Sequence, residues 1–235
     1  MSEYCLYCHE EILPQVSWGS LFTAVKETCL CPSCQNQLIE IEGRMCTICS
    51  RPLDKLDPQY VQGEHCYDCV RWEKDPEWKG YLSQNISLYK YNDFLKELIS
   101  QYKFRGDYIL AKAFADKIRK KLEGLNFNHI VPVPLSKERQ FERGFNQSEA
   151  LIREAGLTPT NLLKRTHGEK QSKKSRNDRI HLPQVFQIEE QVEVYGKSIL
   201  IIDDIYTTGS TLRHAAKILK LNGANTISSL TIARG

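Results

Sequence analysis

The stretch SILIIDDIYTTGSTLRHAAKILKLNGA, residues 198–224, contains the pattern that decides the fold. Its apolar run SILII (198–202) is typical of a buried strand, and two acids, Asp203 and Asp204, follow the run directly. A hydroxyl-rich loop, TTGST, then leads into an amphipathic helix pattern. The sequence therefore predicts a buried strand, an acidic turn and the N-terminus of a helix, in that order.

The same alternation of strand and helix continues on both sides of this stretch. Strands are predicted over ISLYKY (86–91), HIVPVPLS (129–136) and TISSLTIAR (226–234), and helices over residues 94–104, 108–125 and 146–156. Short apolar strands separated by helices favour a parallel sheet. We expect an α/β domain with a parallel sheet flanked by helices.

Charge divides the chain into two parts. Residues 1–80 carry 7 Lys and Arg against 13 Asp and Glu, whereas residues 81–235 carry 25 against 16. This shift predicts a boundary near residue 80, with a small module at 1–80 and the α/β domain at 81–235. The basic domain is the better candidate for binding an anionic ligand.

Composition argues against a membrane protein. Hydrophobic residues make up 41% of the chain and charged residues 26%, which is ordinary for a globular protein. The longest apolar runs are far shorter than the roughly 20 residues needed to span a bilayer. The N-terminus MSEYCLYCHEE lacks the pattern of a signal peptide. We expect a cytoplasmic protein without membrane insertion.

All nine cysteines lie within the first 69 residues, and eight of them form four CxxC pairs. In a reducing compartment, repeated CxxC pairs are typical of structural zinc sites, and two pairs complete one tetrahedral site of four thiolates. Either consecutive or interleaved pairs satisfy this geometry, and Cys29 is left over. The predicted zinc ligands are Cys5, Cys8, Cys31, Cys34, Cys46, Cys49, Cys66 and Cys69.

Ligands of parallel α/β sheets bind beyond the carboxyl ends of the strands, where the acids and the TTGST loop are predicted to lie. A glycine allows close backbone approach to a phosphate, and hydroxyls beside free N–H groups at a helix N-terminus form an anion site. Two neighbouring carboxylates fit a ligand that also carries hydroxyls or Mg²⁺. The predicted phosphate-binding residues are Thr207, Thr208, Gly209, Ser210 and Thr211.

The string LIIDDIYTTGSTL resembles the signature of type I phosphoribosyltransferases that binds 5-phosphoribosyl 1-diphosphate (PRPP). The resemblance implies that Asp203 and Asp204 contact the ribose hydroxyls, and that the TTGST loop holds the 5-phosphate of a PRPP–Mg²⁺ ligand. A second block, VPVPLSKERQFERGFNQSEALI, resembles the ComF family. Its implied pyrophosphate-binding residues are Pro134, Leu135, Ser136, Arg139 and Arg143.

Two further segments also match the ComF pattern. KRTHGEKQSKKSRNDRIH (164–181) has seven basic and two acidic residues, and it resembles a flexible loop over the site. Such a loop is expected to contact phosphate or DNA, although a solvated charge run is the simpler alternative. In YKFRGD, Lys103 and Arg105 are candidates to line the site. The basic residues predicted for the loop are Lys170, Lys173, Lys174, Arg176 and Arg179.

The resemblance to the ComF family implies a competence role in natural transformation, with single-stranded DNA and a ComFA-type helicase/ATPase as partners. PRPP would then serve at an allosteric or structural site. The alternative is an active phosphoribosyltransferase, which would release pyrophosphate while transferring the phosphoribosyl group to an acceptor that the sequence does not identify.

Overall fold

A computed structural model describes residues 4–13, 28–166, 185–189 and 193–235. Its centre is a sheet of four parallel strands in the order β3–β8–β7–β4. These strands are β3 (Gln84–Lys90), β4 (His129–Pro132), β7 (Ser198–Tyr206) and β8 (Thr226–Arg234). Helices flank this sheet, which confirms the predicted fold class.

The strand that carries the two acids is longer than predicted. It does not end at Ile202, because β7 remains paired in parallel with β8 as far as Tyr206 opposite Arg234. Asp203 and Asp204 thus lie among the last four residues of β7 and not in a turn after the strand. Pairing with a long neighbouring strand overrides the local polarity of the two acids.

The flanking helices are α3 (Asp93–Phe104), α4 (Lys112–Leu122), α5 (Lys137–Arg143), α6 (Gln147–Glu154) and α7 (Ser210–Leu221). The helix predicted over 108–125 is shorter, since Tyr108–Ala111 is a 3-10 turn. Helix α5 was not predicted, although Ser136 caps it by accepting a hydrogen bond from the N–H of Arg139.

A short antiparallel hairpin, β5 (Leu163–Arg165) with β6 (Phe186–Ile188), lies beside the sheet. The five basic residues predicted for the loop over the site fall between these strands, within 167–184, and so lie outside the described residues. No helix in the described ranges is both long and apolar enough to cross a membrane.

The cysteine-rich module contains α1 (Pro32–Gln35), β1 (Val61–Gln62), β2 (His65–Cys66) and α2 (Tyr67–Lys74). It packs directly against the sheet domain. Residues 39–41 run antiparallel along the free edge of β3, with the N–H of Lys90 donating to Ile39 and the N–H of Ile41 donating to Leu88. The module thereby covers a sheet edge that would otherwise expose unpaired backbone groups.

A second contact between the module and the α/β domain joins α2 to α7. The buried guanidinium of Arg213 donates to Oε1 of Glu73 at 2.7 Å and lies 5.0 Å from the Trp72 ring. The ring of Trp78 packs edge-on against His214 at 4.6 Å. The module and the α/β domain therefore share one buried core.

Candidate functional site

Asp203 and Asp204 lie at the carboxyl end of β7, in the middle of the sheet. Oδ1 of Asp203 accepts hydrogen bonds from the N–H of Asp204 at 2.9 Å and from the hydroxyl of Ser148 at 3.3 Å. Ser148 is on α6, which Asn146 caps. The first acid is thus fixed by its neighbours and faces α6.

Burial dominates the electrostatics of this pair of acids. Burial and, second to it, the charge of Asp204 raise the pKa of Asp203 to about 7, while Lys103 and the Ser148 hydrogen bond oppose the rise. Nζ of Lys103 lies 2.5 Å from Oδ2 of Asp204. A cation or hydroxyl donors from a ligand would compensate the remaining negative charge.

The phosphate loop, residues 207–211, joins β7 to α7. Gly209 precedes α7 with φ +79°, in the left-handed region that favours glycine. A Cβ atom at this position would lie 2.2 Å from the hydroxyl oxygen of Tyr206. Only glycine fits here, because its backbone conformation and the tyrosine ring both exclude a side chain.

The carbonyl groups at the start of the phosphate loop all have side-chain donors. One nitrogen of Arg234, Nη1, donates to the carbonyls of Tyr206 and Thr207, each at 3.0 Å, and Nε1 of Trp72 donates to that of Thr208 at 3.0 Å. Within the described ranges, the N–H groups of residues 207–209 donate to no protein acceptor. Free N–H groups at a helix N-terminus attract an anion.

The loop after β4 lies beside the acids, as the sequence predicts for Pro134, Leu135 and Ser136. The N–H of Val133 donates to the carbonyl of Ile202 at 3.0 Å, so these three residues follow directly alongside the end of β7. Ser136 itself caps α5. The hydroxyl of Ser136 already accepts a hydrogen bond from the N–H of Arg139, so only its backbone groups remain for a ligand.

Two arginines, Arg143 and Arg165, interact electrostatically with the acids, and both also interact with Arg139. Burial lowers the pKa of Arg143, whereas attraction from Asp204 and Asp203 opposes the decrease. Arg139 repels Arg143 and also Arg165, whose pKa burial lowers as well. The structure therefore brings together the two predicted arginines and a third, Arg165 of β5, that sequence reasoning did not select. Its only sequence signal is its place in the basic run that begins at Lys164.

The sulfurs of the eight CxxC cysteines form two groups, and within each group they lie within 4.8 Å of one another. Consecutive pairs come together, as in the sequential arrangement. The first cysteine cluster is Cys5, Cys8, Cys31 and Cys34; the second cysteine cluster is Cys46, Cys49, Cys66 and Cys69. Four soft sulfur ligands at this spacing fit a tetrahedral metal ion such as zinc, and they leave no position for a substrate.

The two clusters differ in their surroundings. Cys8 of the first cluster is accessible to solvent, whereas all four cysteines of the second are 0–1% exposed. Nη2 of Arg234 lies 3.6 Å from Sγ of Cys49 in that buried cluster. A guanidinium donor stabilises a thiolate by charge-assisted hydrogen bonding. This feature supports a metal at the second cluster.

Comparison with known proteins places the chain in a family. Residues 107–235 match the model of the phosphoribosyl transferase domain. The competence protein ComFC of Bacillus subtilis is 36% identical over an alignment that covers 98% of this chain and 94% of that protein. The chain belongs to the ComF family.

Other ComF relatives match over most of their lengths. ComFC of Streptococcus pneumoniae is 32% identical, and the alignment covers 98% of this chain and 99% of that protein. Competence protein F of Haemophilus influenzae is 28% identical over 87% of this chain and 90% of that protein. The similarity therefore extends through the cysteine-rich module as well as the phosphoribosyltransferase domain of this ComF protein.

Proposed function

We propose that the carboxyl end of β7 binds PRPP together with Mg²⁺. The observation that carries this proposal is the meeting of two roles at one place: paired carboxylates at Asp203 and Asp204, and the free N–H groups of residues 207–209. The first suit ribose hydroxyls, and the second suit a 5-phosphate. A sugar phosphate satisfies both, whereas inorganic phosphate uses only the loop.

The surrounding residues fit the rest of the ligand. Arg143 and Arg165, which interact electrostatically with the acids, and Arg139 beside them supply the positive charge that a diphosphate would need. Mg²⁺ prefers oxygen ligands, and it would reduce the repulsion between a diphosphate and the two acids. Asp203 and Asp204 are the residues that would hold the ribose and orient it toward these arginines.

Calorimetric titration with PRPP and Mg²⁺ tests the site. We expect binding by the native protein and its loss in Asp204→Asn, which keeps the size of the side chain. Asp116→Asn is the matched control, because Asp116 is an exposed carboxylate of α4 that pairs with Arg119. Equal binding by all three proteins, or no binding by any, would contradict the proposal.

We further propose that this ComF protein is a cytoplasmic competence protein that handles single-stranded DNA during natural transformation, with a ComFA-type helicase/ATPase as its partner and structural zinc in its two clusters. Support comes from the names of the relatives, which include competence proteins and the DNA utilization protein YhgH of Escherichia coli. The basic charge of residues 81–235 supports an interaction with nucleic acid.

Helix α5 has the composition expected at a DNA contact. It carries Arg139, Arg143 and the side chain of Phe141, which is 92% exposed. An exposed aromatic ring between basic residues can stack on a base while its neighbours bind phosphates. Fluorescence anisotropy with labelled single-stranded DNA should show binding that falls with salt and weakens in Phe141→Ala. Leu221→Ala is the control, because Leu221 is also an exposed apolar residue but lies at the C-terminal end of α7.

The arginines around the acids favour a second candidate, an active phosphoribosyltransferase. Positive charge at a diphosphate stabilises it as a leaving group, so the same residues that bind PRPP would assist transfer to an acceptor. Release of pyrophosphate in the presence of a candidate acceptor would identify this activity. Binding of PRPP without release, across nucleobases and single-stranded DNA, would restrict the site to a binding role.

A further inference from the structure

The phosphate loop and the second cysteine cluster are connected by Arg234. This side chain is 5% exposed, and each end of its guanidinium has a different partner. Nη2 donates to Sγ of Cys49 at 3.6 Å, whereas Nη1 donates to the carbonyls of Tyr206 and Thr207 at 3.0 Å. A single planar group therefore joins a cluster sulfur to the backbone at the start of the loop.

Helix α2 provides a second connection. Cys69 of the cluster and Trp72 are three residues apart on this helix and so lie on the same side of it. Nε1 of Trp72 donates to the carbonyl of Thr208 at 3.0 Å, and Trp72 is 6% exposed. The carbonyls of Thr207 and Thr208, and that of Tyr206 at the end of β7, thus accept from side chains that are linked to the cluster.

We propose that metal binding at the second cysteine cluster and sugar phosphate binding at the phosphate loop are coupled, with Arg234 and Trp72 as the positioning residues between them. The inference rests on the proposed sugar phosphate site. A bound metal holds Sγ of Cys49 in place, and with it the guanidinium of Arg234 that donates to this sulfur. It also fixes α2 through Cys69, and therefore fixes the loop whose N–H groups hold the phosphate.

Coupling between two binding sites is reciprocal. If the metal tightens sugar phosphate binding by some factor, the sugar phosphate tightens metal binding by the same factor. The first cysteine cluster is an internal reference, since it packs against α3 through Tyr7 and Phe94 and has no described contact with the phosphate loop. The sugar phosphate is therefore expected to change the metal affinity of the second cysteine cluster and to leave that of the first unchanged.

Equilibrium competition with a zinc chelator, using the full chain with and without saturating ribose 5-phosphate, tests the coupling. We expect one ion per chain to bind about 5- to 50-fold more tightly with the ligand present, and the other ion to be unaffected. Ribose 5-phosphate should bind more weakly, by the same factor, to protein from which that ion has been removed. In protein loaded with Co²⁺, the ligand should alter the visible absorption bands of one site.

Trp72→Phe removes the indole N–H and keeps an aromatic ring, so both ions should remain bound while the coupling factor falls. Trp78→Phe is the matched control, because Nε1 of Trp78 has no hydrogen-bond partner within the described residues. Arg234→Lys retains the charge and cannot reach both partners at once, and it should also reduce the factor.

The outcomes separate the two proposals. If ribose 5-phosphate binds the native protein and both zinc affinities stay the same, the coupling is wrong and the sugar phosphate site stands. If the ligand does not bind even the zinc-loaded protein, the proposed site fails and the coupling fails with it. A Trp72→Phe variant that retains the full coupling factor would remove Trp72 from the connection.

Discussion

Nζ of Lys103, on α3, lies 2.5 Å from Oδ2 of Asp204, on β7, and both side chains are less than a fifth exposed. This ion pair joins a helix of the flank to the carboxyl end of a central strand. Because the same lysine also opposes the rise in the pKa of Asp203, it influences both acids of the site. Lys103 is therefore the direct ion-pair partner in the candidate PRPP site, and Arg143 and Arg165 add positive charge near the same acids.

Lys103→Met should destabilise the protein more at pH 8 than at pH 5. The pKa of Asp203 is about 7 in the folded protein and lower in the unfolded chain. Stability is therefore lost as the pH rises from the unfolded pKa to about 7. Without the lysine, this pKa rises further and the loss at pH 8 grows. We expect a difference of about 1–3 kcal/mol in the free energy of unfolding from denaturant titrations at the two pH values. An equal effect at both would contradict this account.

Sugar phosphate affinity should increase with pH through about 7, because hydroxyl donors from ribose require the ionised form of Asp203. Ser148→Ala removes a hydrogen bond that lowers this pKa. The midpoint of binding should therefore move to higher pH. Calorimetry with the same ligand for both proteins is the measurement, since the phosphate's own ionisation near pH 6 then cancels in the comparison. A midpoint that stays fixed would exclude Asp203 as the titrating group.

Gly209→Ala should weaken ribose 5-phosphate binding at least tenfold and destabilise the fold. The left-handed backbone costs about 1–3 kcal/mol with a Cβ, and the Tyr206 ring occupies the space that the Cβ needs. Gly124→Ala is the matched control. Its φ is +77°, and a Cβ there meets nothing within 4 Å, so only the backbone cost applies. Equal losses of stability for the two variants would show that the tyrosine yields freely.

Glu73→Ala should cost about 3 kcal/mol in the free energy of unfolding, because it leaves the fully buried Arg213 without its carboxylate partner. Replacing both residues, in Glu73→Ala with Arg213→Met, should recover most of that loss. Thermal and denaturant unfolding of the two single variants and the double variant form the required cycle. A double variant as unstable as the sum of the singles would mean that the pair does not act together.

Zinc analysis should find two ions per chain, with different susceptibility to removal. The second cysteine cluster is buried in the core shared with β7 and α7, so Cys46→Ser should lower the unfolding midpoint strongly. Cys8→Ser, in the more accessible first cluster, should have the smaller effect. A chelator is expected to remove the ion of the first cluster earlier. Loss of both ions at one rate would contradict this order.

Local sequence patterns identified the four strands of the central sheet, four of the helices that flank it and the acids with their loop, but not the hairpin of β5 and β6. They failed at features that depend on distant partners. The strand β7 continues past Ile202 because β8 pairs with it, and no property of residues 203–206 alone indicates that pairing. Helix α5 had a local signal, a capping Ser136 and a closing Gly144, which the resemblance to a binding loop obscured.

The site residues that the sequence did not indicate also depend on distant partners. Arg234 and Trp72 reach the phosphate loop from positions 27 and 136 residues away along the chain. Arg165 lies near the acids only because β5 and β6 pair beside them. Their roles follow from tertiary packing, whereas Gly209 and Asp204 belong to a short motif.

The order of the strands also has a consequence for synthesis on the ribosome. β8 lies between β3 and β7, although it follows both in the chain, and about 135 residues separate Lys90 from Thr226. At roughly 5–20 residues per second, β3 waits about 7–27 s for its sheet partner. A nascent chain halted before Thr226 has no strand between β3 and β7, so it would present the β8-facing edges of these two strands to chaperones and proteases.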